Sequence, residues 1–100
     1  MAVAVVQDWV DEETDRSTAN YDALSERLQA QDEPPAGLLV HTAGFTGHGF
    51  RIFEVWESRE DYERFFSERL MPLIQNVASD DDRQPHQTIY ELHNFMATGQ

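Results

Sequence analysis

Two histidines and a glutamate, His41, Glu54 and His93, lie within stretches that alternate between apolar and other residues. A free imidazole titrates at about pH 6.5 and can exchange protons at neutral pH. A carboxylate can orient an imidazole or act as the base itself. These three residues therefore predict catalytic acid–base chemistry that needs no cofactor. The structural alternative is that they form only hydrogen bonds or ion pairs in an interface.

The same three residues are also the ligand types of a metal site with two histidines and one carboxylate. The sequence has no HExxH motif and no cysteine, so none of the common local metal motifs accompanies them. A metal-dependent enzyme with ligands from His41, Glu54 and His93 is a second alternative. The remaining histidines, His48 and His86, lie in or beside turns and are predicted to be exposed.

Alternation of apolar residues predicts the elements that must position these side chains. Glu54 stands in the segment FRIFEVWE, which has the period of two that is typical of a strand. Pairing with the preceding strand is favoured by the glycine-rich TGHG segment, which predicts a hairpin turn. Strands are expected over residues 3–10, 37–45, 50–57 and 86–96.

Two apolar stripes at helical spacing, one that begins at Tyr21 and one that begins at Tyr62, predict two helices. The first helix is expected to be capped by Ser17 or Thr18 and to end by the DEPPAG segment, residues 32–37, because prolines and glycine cannot continue it. The second helix is expected to be capped by Ser58 and to be kinked or interrupted at Pro72.

The resulting order, βαββαβ, predicts a single domain that spans residues 1–100. Its natural arrangement is the ferredoxin-like α+β fold, a four-stranded antiparallel sheet with two helices on one face. The first and third strands are expected to be the central ones.

Helices can cover only one face of such a sheet, and Phe53 and Val55 are predicted to lie against them. The other face then carries tryptophans and phenylalanines, which a monomer does not usually expose. A second copy is the simplest cover, so we expect a homodimer with an apolar cavity between the sheet and its partner. The residues predicted to line that cavity are Gln7, Trp9, His41, Phe45, Glu54, Trp56, Glu91, His93 and Phe95.

The charge balance bears on possible partners. Nineteen acidic residues against seven basic ones give a net charge of −12, which argues against nucleic acid or an anionic membrane as partner. The apolar stretch at the start of the sequence is too short for a signal peptide or a membrane span, so we expect a cytoplasmic protein. The aspartate run of residues 80–82 is predicted to be a solvated loop.

The segment FEVWESREDYERFFSERLMP, the βαββαβ order and the length of 100 residues resemble the dimeric α+β-barrel superfamily. That superfamily includes the antibiotic biosynthesis monooxygenase-like proteins, and the closing HNFM segment is similar to small actinobacterial members. The resemblance implies a ferredoxin-like fold and a homodimer. Its members include cofactor-free oxygenases, cyclases and isomerases as well as haem-degrading enzymes, so the fold alone does not choose a reaction.

Two classes of function follow from these observations. The first is a small cofactor-independent monooxygenase, cyclase or isomerase that acts on an aromatic or polyketide-like molecule. In it His41, His93 and Glu54 move protons, and the tryptophans hold the substrate. The second class is a non-catalytic dimer that binds a small hydrophobic ligand or serves as an accessory protein.

Overall fold

The computed structural model describes residues 1–10, 19–77 and 85–96. In chain order its elements are β1 (Val3–Val10), α1 (Ala19–Ala30), β2 (Leu38–Phe45), β3 (Gly49–Trp56), α2 (Arg59–Phe65), a π-helical segment (Phe66–Leu70), α3 (Met71–Val77) and β4 (His86–Glu91). The predicted cap at Ser17 or Thr18 and the predicted loop at residues 80–82 lie outside the described residues. No helix among those described is long and apolar enough to cross a membrane.

The four strands form one antiparallel sheet in the order β2-β3-β1-β4, so the predicted central position of the first and third strands is confirmed. Val5 of β1 lies between Glu54 of β3 and Ile89 of β4, and Glu54 lies opposite His41 of β2. This register runs across the middle of the sheet and fixes which side chains share a face. The ferredoxin-like α+β fold predicted from the sequence is confirmed.

The second helix is continuous from Arg59 to Val77 but widens in its middle into the π-helical segment. It begins as predicted, because the Ser58 hydroxyl accepts the backbone N–H of Asp61 at 3.1 Å. The wide turn ends directly before Met71 and Pro72. A proline lacks the N–H that a regular α-helix would use, and its ring crowds the carbonyl one turn earlier, so a wider turn at this point accommodates it.

The prediction of which face the helices cover was wrong. Trp56 is fully buried, and its ring lies 5.7 Å from that of Tyr62 and 5.3 Å from that of Phe65, both in α2. Val3 and Val5 belong to the same core cluster. The face that carries Glu54 and Trp56 is therefore the covered one. The sequence analysis correctly predicted which residues of β3 share a face, but it assigned the helices to the wrong face of the sheet.

The residues predicted to pack on the helices lie mostly on the opposite, open face, although two of them, Ala4 and Val55, are buried there. Val55 pairs with Ala4, and Phe53 pairs with Val6. Phe53 and Val6 remain half-buried, while Tyr90, which follows the same alternation in β4, is 47% exposed. A shared cavity between this chain's Trp56 face and a partner is thus incompatible with the structure. Any cavity that contains Glu54 lies between the sheet and its own helices.

Strand β4 is shorter than predicted. It ends at Glu91, which pairs with Val3, the first residue of β1. Since β4 is an edge strand, β1 is its sole neighbour, and the ladder stops where β1 begins. His93 and Phe95 consequently lie beyond the strand and do not follow its alternation.

Candidate active site

The site is centred on a hydrogen-bonded pair between His41 of β2 and Glu54 of β3. The two residues are register partners, and His41 Nδ1 lies 2.5 Å from Glu54 Oε2. The Glu54 side chain is only 13% exposed, whereas that of His41 is 36% exposed. The carboxylate is thus shielded beneath the helices while the imidazole remains within reach of a ligand.

A β-bulge in β2 aims His41 at Glu54. Leu38 pairs with Trp56, but Val40 pairs with Val55, so Leu39 is the extra residue. The bulge shifts the alternation of β2 by one residue. As a result Leu38 packs on the core cluster, and His41 still faces the same side as Trp56.

The second oxygen of Glu54 is held by Trp56. The indole Nε1–H of Trp56 donates to Glu54 Oε1 at 3.0 Å. Both carboxylate oxygens therefore have partners, which fixes the plane of the carboxylate and allows it to share a largely buried face with Trp56. Hydrogen bonds to an ionised carboxylate are stronger than those between neutral groups, because the acceptor carries a negative charge.

Helix α1 adds a phenol on the far side of the imidazole. The Tyr21 hydroxyl lies 2.6 Å from His41 Nε2, and the two ring planes differ by only 4°. The pKa of Tyr21 is raised above its ordinary value by burial first, then by the negative charges of Glu54 and Asp22. Tyr21 therefore keeps its proton throughout the neutral range.

These contacts assign the hydrogens along the chain Tyr21–His41–Glu54. An ionised carboxylate can only accept, so His41 Nδ1 carries the hydrogen that points to Glu54. In a neutral imidazole the other nitrogen is then an acceptor, and Nε2 accepts the hydroxyl hydrogen of Tyr21. Glu54 thus holds His41 in the tautomer whose Nε2 lone pair can take up a proton.

Aromatic side chains surround this end of the sheet. Phe50 is their centre, with ring centroids 5.2 Å from Phe45, 5.7 Å from Tyr21 and 6.3 Å from Trp9. Phe45 is 43% exposed, so the group has an accessible side. The arrangement offers ring faces and edges to a flat apolar molecule beside His41.

A second polar cluster lies on the same face, nearer to β4. Gln7 Nε2 donates to the Tyr62 hydroxyl and to Gln87 Oε1, both at 3.0 Å, and the Tyr62 hydroxyl donates to Gln87 Oε1 at 2.8 Å. Burial, followed by the charge of Glu54, raises the pKa of Tyr62 to about 12. Tyr62 is therefore a neutral hydrogen-bond donor at any physiological pH.

A cleft of about 450 Å³ opens beside Tyr62, between the second helix and β4. Phe66 and Ile89 give it apolar walls, and Gln87 adds a carboxamide. Arg59 and Glu63, which form an ion pair at 3.4 Å, also line it. Its size is within the range of small-molecule sites. The cleft and the His41 centre are connected through Tyr62, Trp56 and Glu54.

The structure brings together some of the predicted site residues and separates others. Six of the predicted residues share the covered face: Gln7, Trp9, His41, Phe45, Glu54 and Trp56. Glu91 ends β4 as an exposed residue, and His93 and Phe95 are exposed beyond it. Across the described ranges no group of three or more His, Cys, Asp or Glu side chains is arranged to hold a metal ion, so the His41–Glu54–His93 metal site is not formed.

Two residues of the site were missed by the sequence interpretation, Tyr21 and Tyr62. Both were assigned to the apolar stripes of their helices, and both do face the sheet. The available signal was a hydroxyl-bearing aromatic residue at the start of each inward-facing stripe. Only the tertiary structure shows that these hydroxyls meet His41 and Gln7.

Comparison with known proteins places the fold. The sequence matches no protein-family profile and no curated protein. Solved structures are similar in fold at low identity. Rv0793 from Mycobacterium tuberculosis is 15% identical with a TM-score of 0.70, and the match covers 97% of this chain and 100% of that one.

Two further matches are named as oxygenases. A monooxygenase from the gene ActVA-Orf6 of Streptomyces coelicolor, solved with nanaomycin D, is 19% identical with a TM-score of 0.60 over 98% of this chain and 92% of that one. SnoaB, a cofactor-independent oxygenase from Streptomyces nogalater, is 13% identical with a TM-score of 0.59 over 97% of each chain. The chain therefore has the ferredoxin-like α+β fold that it shares with these solved structures.

Proposed function

We propose that this protein is a cofactor-independent enzyme that removes a proton from a flat aromatic or polyketide-like molecule, with His41 as the base. The observation that carries the proposal is the chain Tyr21–His41–Glu54, in which a shielded carboxylate holds the imidazole with Nε2 as acceptor. The neighbouring aromatic side chains supply the surface for the ligand's rings. The fold shared with cofactor-independent oxygenases is consistent with this chemistry but does not establish it.

The reaction proposed is oxygenation of an activated CH2 group next to a fused aromatic system. His41 Nε2 takes one proton, either from that carbon or from the hydroxyl of its enol tautomer, and either loss leaves the same enolate. The enolate reduces dioxygen. One oxygen atom then becomes the new carbonyl oxygen, and the other leaves as water with the two hydrogens, so that CH2 and O2 give C=O and H2O. Glu54 stabilises the imidazolium that forms, and this effect is greatest when the site is closed to water.

Anthrone is a suitable test substrate, because its oxidation to anthraquinone follows this balance. We expect the purified protein to consume one O2 per anthrone above the uncatalysed rate. His41→Gln should lower this rate by 10²- to 10⁴-fold, roughly the usual contribution of a positioned general base. His48→Gln provides the matched control, since His48 is an exposed residue in the β2–β3 turn.

The results of the substrate assays distinguish an oxygenase from a cyclase or isomerase and from a protein that only binds a ligand. Conversion of a related substrate without oxygen uptake, but still dependent on His41, would indicate a cyclase or isomerase that uses the same base. Binding without any His41-dependent conversion would contradict the enzymatic proposal and indicate a small-ligand-binding protein.

We also propose a homodimer through the open face of the sheet, in place of the Trp56 face predicted from the sequence. Its support is the exposed or half-buried apolar surface around Val6, Phe53 and Tyr90, which an isologous partner would cover. Sedimentation should show a dimer that Phe53→Asp dissociates and that Met71→Asp, on the helical layer, does not. A monomeric wild type at micromolar concentration would contradict this assignment.

A further inference from the structure

The contact between Tyr21 and His41 has the geometry of a bound phenol. The hydroxyl oxygen lies 2.6 Å from Nε2, and the planes of the two rings are nearly parallel, 4° apart, with centroids 6.1 Å apart. A hydroxyl in the plane of the imidazole points its hydrogen along the Nε2 lone pair. An acidic O–H at the position of the Tyr21 hydroxyl is within hydrogen-bond distance of Nε2 and can transfer its proton to His41.

We propose that the Tyr21 hydroxyl occupies the position that a ligand's acidic phenol or enol hydroxyl takes on His41, so that Tyr21 is an internal competitor that selects for acidic hydroxyl ligands. The inference rests on the proposed function and deepens it. It names the group by which the ligand is recognised and the residue that the ligand displaces.

Tyr21 is poorly suited to receive or pass on the proton itself. Burial, with the charges of Glu54 and Asp22 in addition, raises its pKa above the ordinary 10.0. Its proton therefore stays on oxygen at neutral pH. Fused-ring phenols and enols are more acidic than tyrosine, and the hydrogen bond they donate to an imidazole is correspondingly stronger. A ligand of this class can displace Tyr21, whereas an ether or a hydrocarbon of the same shape cannot replace the lost hydrogen bond.

The surroundings of Tyr21 permit the displacement. Its ring is half-buried, and it packs at an angle of 60° on Phe50, with no second hydrogen bond to its hydroxyl among the contacts of the described residues. The hydrogen bond between His41 Nδ1 and Glu54 holds the imidazole in place, so His41 does not move with Tyr21 when the Tyr21 hydroxyl leaves Nε2. The charged side chains that act on Tyr21 are Glu54, from the sheet, and Asp22, from its own helix. Both are acidic and disfavour a phenolate at this position, so only a hydroxyl more acidic than that of tyrosine can transfer its proton to His41.

The test is a binding measurement without oxygen, with 1-naphthol and its methyl ether as probes. Tyr21→Phe removes the competing hydroxyl and keeps the ring. We expect this variant to bind 1-naphthol about tenfold more tightly than the wild type, the factor that corresponds to one neutral hydrogen bond. The methyl ether, which leaves the hydrogen bond between Tyr21 and His41 in place in the wild type, should gain less affinity from the substitution than 1-naphthol. Tyr90→Phe, on the open face, is the matched control and should bind like the wild type.

A second observation uses the wild type and does not depend on the stability of the variant. Saturation with 1-naphthol should shift the Tyr21 ring signals in an NMR spectrum, because the Tyr21 hydroxyl leaves His41 Nε2. Saturation with the methyl ether should leave these signals unshifted. Weaker or unchanged naphthol binding by a folded Tyr21→Phe would overturn the proposal. So would unshifted Tyr21 signals in naphthol-saturated wild type.

These results are independent of turnover. If naphthol displaces Tyr21 but anthrone is not oxidised, the internal competitor is real and the proposed oxygenase function fails. If anthrone is oxidised in a His41-dependent way but Tyr21→Phe gains no affinity for naphthol, the function stands and the internal competitor is refuted.

Discussion

Raising the pH above 10 should destabilise the fold through Tyr62. This phenol is 4% exposed, and its pKa is raised from 10.0 to about 12, mainly by burial and then by the charge of Glu54, partly offset by the hydrogen bond from Gln7. A raised pKa means that the folded state holds the proton more tightly than the unfolded state. The corresponding stability is fully present below pH 10 and is lost as the pH rises through 12. A difference of two in pKa corresponds to at most about 2.7 kcal/mol.

Urea denaturation at pH 8 and at pH 11.5 measures this loss. We expect the free energy of unfolding of the wild type to fall between these pH values by about 2 kcal/mol more than that of Tyr62→Phe, which has no phenol to titrate. The variant should itself be less stable at pH 8, since Gln7 and Gln87 lose a partner. Tyr90→Phe, which replaces a 47% exposed tyrosine, should retain the full pH dependence. Equal pH dependence in the wild type and Tyr62→Phe would refute the buried hydrogen-bonded phenol.

Two further substitutions test the support of the site. Trp56→Phe should lower the free energy of unfolding by about 2–3 kcal/mol, because the Glu54 carboxylate loses its indole donor and a fully buried ring becomes smaller. An unchanged midpoint in urea denaturation would contradict this. Gly37→Ala should cost about 2 kcal/mol or more, because Gly37 has a φ of 90° and an added Cβ would overlap Asp61. Thermal melting measures this cost, with Gly44→Ala as the control because its Cβ would meet open space. Equal melting temperatures for Gly37→Ala and Gly44→Ala would refute the argument.

Much of the fold was predictable from local patterns. The segment VAVVQDWV gave a strand with the bounds of β1, the DEPPAG segment ended α1, and Ser58 capped α2 as expected. These features depend on period-two alternation, on proline chemistry and on one hydroxyl, all of which act within a few residues. The shared face of Glu54 and Trp56 follows from the same alternation, whereas His41 joins that face because of the β-bulge at Leu39.

The orientation of the sheet was not predictable in the same way. Phe53 and Val55 are as apolar as Ile52 and Trp56, so hydrophobicity does not distinguish the two faces of β3. Glu54 can lie on the covered face because the His41 imidazole and the Trp56 indole, which share that face, satisfy both of its oxygens. An unpaired carboxylate could not be buried there.

The end of the fourth strand depended on a distant segment as well. His93 and Phe95 continue an alternating pattern, but a strand persists only while its neighbour pairs with it. The neighbour, β1, begins at Val3 and leaves these residues without a ladder. Contacts of this kind, like those of Tyr21 with His41, join residues that are far apart in sequence and are visible only in the assembled fold.

The account depends most directly on the tautomer of His41, which long-range ¹H–¹⁵N correlation NMR of the wild type can determine at a pH where the imidazole is neutral. We predict that Nδ1 carries the hydrogen and Nε2 is unprotonated, because the Glu54 carboxylate can only accept. In Glu54→Gln the carboxamide can donate to Nδ1 instead, and the hydrogen should move to Nε2. A wild type in which Nε2 carries the hydrogen and Nδ1 does not, or a tautomer that is the same in Glu54→Gln, would contradict the role assigned to His41.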